Sequence, residues 1–271
     1  MKLTQILFGE NVTTGTRRDY TSPAEYGVGI ISVTGNGKAV TLFHKQSLQE
    51  AVTTEKNFFS VVARYEDWLC GMIRKGKSHQ GDCLGAVEVA SVASSKKFPG
   101  AGLVCYELFG EMVGGPITSD RDVSTSDSAK KTWAKIETDG SRWRRAPLDN
   151  HDTWGDYYRH QGTWPNRRLI NFGGSPLTPG FTQDDCQLPQ NRTYGDKDPE
   201  IGINKVLGSV DAWIYAGPAK LESLIASGER FAQEVMEPLE FEFPDDVVDG
   251  KRRLEVLLRK AAIRLFSERY L

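Results

Sequence analysis

Apolar and polar positions alternate between two rhythms along this chain, and the change of rhythm marks its elements. Gly27–Val33 (GVGIISV) and Ala39–Phe43 are short apolar runs around the turn Gly35-Asn36-Gly37, which reads as a hairpin. Otherwise residues 1–50 read as strands and turns. Phe58, Val61, Val62, Tyr65, Leu69 and Met72 recur at helical spacing, so a helix is predicted over 54–75, ending in the basic loop RKGKSHQGD. Leu84–Val92 (LGAVEVASV) is almost wholly apolar and reads as a buried strand. Pro99 stops that strand within Ser94–Gly100. Leu103, Val104, Tyr106, Leu108, Phe109 and Met112 then predict a helix from Ala101, which Gly114-Gly115-Pro116 ends.

A short strand at Pro116–Asp120 and a turn at Arg121-Asp122-Val123 follow. Ser124 and Ser126 are candidate N-caps for a helix at Asp127–Ile136, with Ala129, Trp133 and Ile136 on its apolar face. The firmest expectation is therefore a strand, glycine turn, helix, strand and second helix over 86–136. Residues 138–210 differ in character, being rich in Gly, Pro, Asn, Trp and Arg, and read as long loops with short elements. Helices return at 217–237, with Leu221, Leu224, Ile225 and Phe231 on one side. A last helix over Asp249–Leu271 carries an apolar stripe of Leu254, Leu257, Leu258, Ala261, Ile263, Leu265 and Phe266. Three segments result: a core at 1–137, a loop-rich elaboration at 138–210 and a helical end at 211–271.

Composition changes this picture little. A charged fraction of 26% and a net charge of −2 fit a globular protein with no general field for nucleic acid. Met1–Glu10 is too polar for a signal peptide, and no apolar run is long enough to span a membrane, so a cytoplasmic protein is expected. Cys70, Cys83, Cys105 and Cys186, like His44, His79, His151 and His160, are scattered without zinc-site spacing. No metal is expected. Cys186 follows two carboxylates, but no histidine is identifiable as its partner.

The chemistry lies in the turn after the 84–92 strand. Glycines between a strand and a helix aim backbone N–H groups and the positive helix end at one point, a phosphate-binding geometry. Gly100 and Gly102 put no Cβ in the way. The alternative is a tight turn and nothing more. No G-x-x-x-x-G-K-[ST] is present, and neither a third glycine nor a ribose-binding acid stands in register for a dinucleotide site.

What remains is basic-x-x-Gly-x-Gly at Lys97-Phe98-Pro99-Gly100-Ala101-Gly102, within a loop spanning 94–104. This resembles the pyrophosphate loop of the GNAT superfamily of N-acetyltransferases. Thr118-Ser119-Asp120-Arg121, Ser124–Ser128, Ala129 and Trp133 also look like GNAT-like proteins of tailed bacteriophages, and Leu177-Thr178-Pro179 with Asp184-Asp185-Cys186 is similar to their downstream region. The resemblance is carried by about fifty residues.

It implies an α/β (α+β) fold with a mixed, mainly antiparallel sheet flanked by helices. It implies acetyl-CoA as co-substrate, held by Val89, Ser91, Lys97, Gly100, Ala101, Gly102 and Leu103. The Val87–Val92 strand would splay from that at Ile117 to admit the pantetheine arm. Glu88 stands where a general base is expected, the alternative being a carboxylate at the sheet edge or paired with Arg. Trp133 occupies the position of the family's general-acid tyrosine, leaving Tyr106 as the candidate phenol.

The implied partners are an amine-bearing substrate or other phage proteins, in the host cytoplasm or the virion. Trp143, Trp154, Tyr157, Tyr158 and Trp164, interleaved with Arg142, Arg144, Arg145, Arg159, Arg167 and Arg168, suit either stacking on a nucleotide or a satellite core beneath the loops.

Overall fold

The structure is a computed structural model and describes residues 19–33, 37–55, 57–78, 86–119, 127–147, 211–237 and 249–270. It is a mixed α/β fold built on one seven-stranded sheet. The strands are β1 (Tyr26–Val33), β2 (Gly37–His44), β3 (Leu69–Ser78), β4 (Val87–Ser94), β5 (Ile117–Ser119), β6 (Trp143–Pro147) and β7 (Asp211–Tyr215). Their spatial order is β1-β2-β3-β4-β5-β7-β6. Every neighbouring pair is antiparallel except β4 and β5. All three segments drawn from the sequence contribute strands to this sheet.

β1 and β2 pair from Tyr26↔His44 to Val33↔Gly37, the hairpin expected from the two apolar runs. Two expectations on this side fail. Lys45–Glu55 is a helix, α1, rather than part of a strand-and-turn region, and it buries Leu48, Ala51 and Val52. The helix predicted over 54–75 breaks into α2 (Phe58–Ala63) and α3 (Tyr65–Trp68), and the chain then becomes β3. Leu69, Cys70, Met72 and Ile73 are all fully buried. A strand covered on both faces has no polar alternation, so its apolar run was compatible with helical spacing. Arg74–Ser78 accordingly belongs to β3 rather than to a loop.

The remaining helices are α4 (Ala101–Val113), α5 (Asp127–Thr138), α6 (Leu221–Phe231) and α7 (Gly250–Tyr270). α6 runs on through a π-helical turn at Ala232–Met236. One side of the sheet packs α1, α2, α3 and α7 around Trp68, Phe43 and Leu257. The other packs α4 around Val104, Leu108 and Phe109, with Ile136 of α5 and Leu224 of α6. Ile263, placed on the apolar stripe of α7 by its sequence pattern, is 49% exposed. Among the described residues no helix is long and apolar enough to cross a membrane.

α6 lies against β1, the first strand of the sheet. Ser227 Oγ donates to the carbonyls of Pro23 (2.6 Å) and Tyr26 (2.9 Å). Any Cβ at Gly228 would stand 2.7 Å from the Val28 carbonyl oxygen, so glycine permits this approach. α6 is also fixed to α4: Glu111 Oε2 accepts the backbone N–H groups of Lys220 and Leu221, both at 2.8 Å. One turn earlier the fully buried Glu107 accepts from Lys220 Nζ and from Arg142 Nη1 at 2.9 Å.

Candidate functional site

β4, the turn after it and the start of α4 form the site. Val87 and Val89 point to the α4 side of the sheet and belong to its core. By strand alternation Glu88 points to the opposite side, where it is 3% exposed and abuts Gly76 of β3. Its ladder neighbours in β5 are Val87↔Ile117, Glu88↔Thr118 and Val89↔Ser119.

The next residue changes the geometry. Against β3, Arg74 pairs with Ser91 and Lys75 with Val89, so Ala90 is an extra residue in β4. Such a bulge bends its strand and sharpens the local twist. It also resets the alternation, returning Val92 to the α4 side and Ala93 to the other. The described pairing with β5 runs to Val89↔Ser119, Ser119 being the last described residue there, and β4 continues to Ser94. Ala90, Ser91 and Val92 are only half-buried although their strand is central to the sheet. Beyond Val89 the strand runs on through these half-buried residues towards the turn that opens α4.

Ser95–Gly100 turns the chain into α4. The turn is pinned from below: Ser95 N donates to the Cys70 carbonyl (3.0 Å), and Ser95 Oγ to the Glu66 carbonyl (3.1 Å). It is pinned from the side by Tyr20, whose hydroxyl donates to the Pro99 carbonyl (2.8 Å). Phe98 is buried and anchors the middle. Gly100 has φ +94°, a left-handed conformation in which a Cβ is strained, so this glycine is required by the backbone.

Phe98, Ala101 and Leu103 direct their N–H groups to carbonyls within the turn. The N–H groups of Gly100 and Gly102 have no acceptor among the described residues. Two donors at the positive end of a 13-residue helix are available to an anion. Gly114 closes the other end of α4 in the left-handed conformation, as its sequence position implied.

The other residues singled out from the sequence are spread around this centre. Val89 (5% exposed) and Ala101 (fully buried) are core residues, while Ser91, Gly102 and Leu103 are half-buried. Lys97 is exposed, and its ammonium meets Asp67 of α3 at 3.2 Å. Burial works against the Asp67 carboxylate, but hydrogen bonds from Arg64 and Lys97 outweigh it and hold its pKa below the usual value. Tyr106 is 1% exposed and packs edge-to-face on Trp133 of α5, with ring centroids 5.0 Å apart. The structure thus brings Trp133 and Tyr106 together, on the α4 side, while Glu88 faces the other side.

Cys105 lies fully buried on the inner face of α4, and burial pushes its thiol up to about 12, which makes it inert at neutral pH. Trp143 is buried on β6, and Arg144 and Arg145 beside it are exposed. The caps at Ser124 and Ser126, the turn at Arg121-Asp122-Val123, the Leu177–Cys186 resemblance and the aromatics from Trp154 to Trp164 lie outside the described residues. Among the described residues no group of His, Cys, Asp and Glu could hold a metal ion.

No family model, curated protein or solved structure matches the chain.

Sequence reasoning missed the anchors of the turn. Tyr20 and Ser95 carry no local signal, because their partners at Pro99, Cys70 and Glu66 are remote or are backbone carbonyls. The bulge at Ala90 was equally hidden, since LGAVEVASV has no glycine or proline at that point.

Proposed function

We propose that this chain is an acyltransferase with a GNAT-like fold, transferring an acyl group from a coenzyme A thioester to an amine acceptor. The observation that carries the reading is a parallel β4–β5 pair whose β4 runs into a left-handed Gly100 turn with two backbone donors, at Gly100 and Gly102, unanswered among the described residues. The sequence resemblance calls for such donors for the pyrophosphate and for parallel strands that splay for the pantetheine arm. When bound, acetyl-CoA supplies the activated acyl group.

The chain's own contribution is positioning first. The N–H groups of Gly100 and Gly102 would hold the pyrophosphate, with Ala101 between them. The edge of β4 past the bulge, at Ser91, would orient the arm, flanked by Val89 and Leu103. Holding two reactants in attack geometry accounts for much of the rate in a bimolecular transfer. The acceptor must lose a proton to attack, and Glu88 is the carboxylate on the face of β4 away from α4. Lys97 would help hold the pyrophosphate from its place beside Asp67. Isothermal titration with acetyl-CoA tests the reading: saturable heat is expected, and no heat at high micromolar ligand removes it.

One observation favours a second reading, a GNAT-fold phage protein of the virion or its assembly without catalysis. Tyr106 is buried against Trp133, so neither residue offers an exposed phenol to a departing thiolate. Mass spectrometry of purified particles decides this case: absence of the chain from the virion leaves the structural reading without support.

A further inference from the structure

A cavity of about 370 Å³ lies on the flank of α4 that carries Val104 and Glu107, whereas Tyr106 turns towards α5. Its walls come from Tyr20 and Pro23 of the segment before β1, from Tyr215 at the end of β7 and from Val104. Exposed Asp19 and Ala219 stand at its rim. This volume falls within the range of small-molecule sites.

Its charged lining is Arg142 and Lys220, with the carboxylate of Asp19 at the rim. Glu107, buried behind them, accepts from both. Glu111 faces the N-terminus of α6 and accepts two of its backbone N–H groups, and Asp139 stands 3.9 Å from Arg142 Nε. Both cations therefore share Glu107, and Arg142 has a second carboxylate beside it. Lys220 has a side chain only 8% exposed, and Glu107 is the sole oxygen acceptor for its ammonium among the described residues. Its Nζ also lies 5.4 Å from the centre of the Tyr215 ring. Two of its three N–H donors thus remain for something else in a place where water is scarce.

The hydroxyls in the wall are engaged elsewhere, and among the described residues none accepts from Lys220 Nζ. Tyr20 donates to Pro99, Tyr215 to Pro218 and Ser223 to the Lys220 carbonyl. An ammonium so nearly buried is stabilised when its remaining donors meet an anionic acceptor.

We propose that this cavity binds a small molecule bearing a carboxylate or phosphate on a planar or apolar body. The anion would accept from Lys220 Nζ and from the guanidinium of Arg142, while the body lies among Tyr20, Tyr215 and Val104. Glu107 fixes both cations in advance, so little ordering accompanies binding. The proposal does not depend on the acyltransferase reading.

The test is titration of the full chain with phenyl phosphate and benzoate, followed by calorimetry and by heteronuclear NMR, with benzylamine as the cationic control. Saturable binding of either anion is expected, with shifts at Ala219 and Ser223 and none for benzylamine. Ala219→Trp, which fills the mouth without touching the charged floor, should weaken binding at least tenfold. A Lys220→Met/Glu107→Gln double variant removes the cation without stranding a buried carboxylate, and should do the same with circular dichroism unchanged. Acetyl-CoA should not compete with the probe. No saturable binding of either anion at millimolar concentration overturns the proposal. So does equal binding of benzylamine, or anion binding that survives Ala219→Trp.

Discussion

The two ends of α4 treat charge in opposite ways. At Gly100–Gly102 the helix presents backbone donors and no carboxylate, and nothing among the described residues answers the N–H groups of the two glycines. From Glu107 to Glu111 the same helix carries two acids that are engaged by Lys220, Arg142 and the start of α6. One end is left receptive and the other is used to lock a distant part of the chain in place. A receptive site needs donors without partners, whereas a structural contact needs partners without vacancies. The helix can serve both roles only because they are separated by two turns.

That contrast can be broken most severely at Glu107. Glu107→Gln strands the buried Lys220 ammonium and should lower stability by about 3 kcal/mol in urea denaturation, the low end of such losses because Arg142 reaches solvent and keeps Asp139. A loss below about 1 kcal/mol would show that the floor is hydrated and the lock weak. At the receptive end, Gly100→Ala forces a Cβ into the left-handed region and should cost about 1–2 kcal/mol. If the glycine end holds a pyrophosphate, acetyl-CoA binding should fall at least tenfold in this variant while Glu107→Gln, measured where it is folded, leaves it within a few fold.

Glu111→Ala removes the acceptor for two N–H groups and should cost about 1 kcal/mol, with the loss confined by hydrogen exchange to α6. The smallest effect concerns Asp67. Its pKa is depressed in the folded state, so its contribution to stability is full above the ordinary carboxylate pKa and disappears as pH falls through the lower folded value. Urea midpoints should therefore fall more steeply with acid in the wild type than in Asp67→Asn. Parallel curves would show that Lys97 and Arg64 do not hold Asp67 in solution.

Much of the receptive end was legible before the structure, because its determinants are local. Gly100, Pro99 and the run from Leu103 to Met112 sit within a few residues of one another, and left-handed glycines at both ends of α4 follow from the sequence pattern. The locking end was not legible. Glu107 and Lys220 are 113 residues apart, and Glu107 and Arg142 are 35 apart, so no window along the chain contains the contact. α1 escaped notice for a different reason. Lys45–Glu55 is mostly polar and has no Ser, Thr, Asp or Asn cap; His44 stands in that place, with Nδ1 3.3 Å from the Ser47 N–H. β3 was misread because a central strand lacks the alternation by which strands are recognised.

The strand order β5-β7-β6 sets an order of events during synthesis. β6 is made before β7, yet β7 lies between it and the rest of the sheet, so among the described strands β6 has no neighbour until residue 215 has emerged. At about 5–20 residues per second, Trp143–Pro147 waits several seconds on the nascent chain. Arg142 waits beside it, and Lys220 arrives later still, so Glu107 lacks both of its cations while only the first half of the protein has been placed. A ribosome that paused between 147 and 211 would hold a sheet ending at β5, with this acid of α4 still exposed to water. The closing of that gap makes the C-terminal segment the step that commits the chain to its fold.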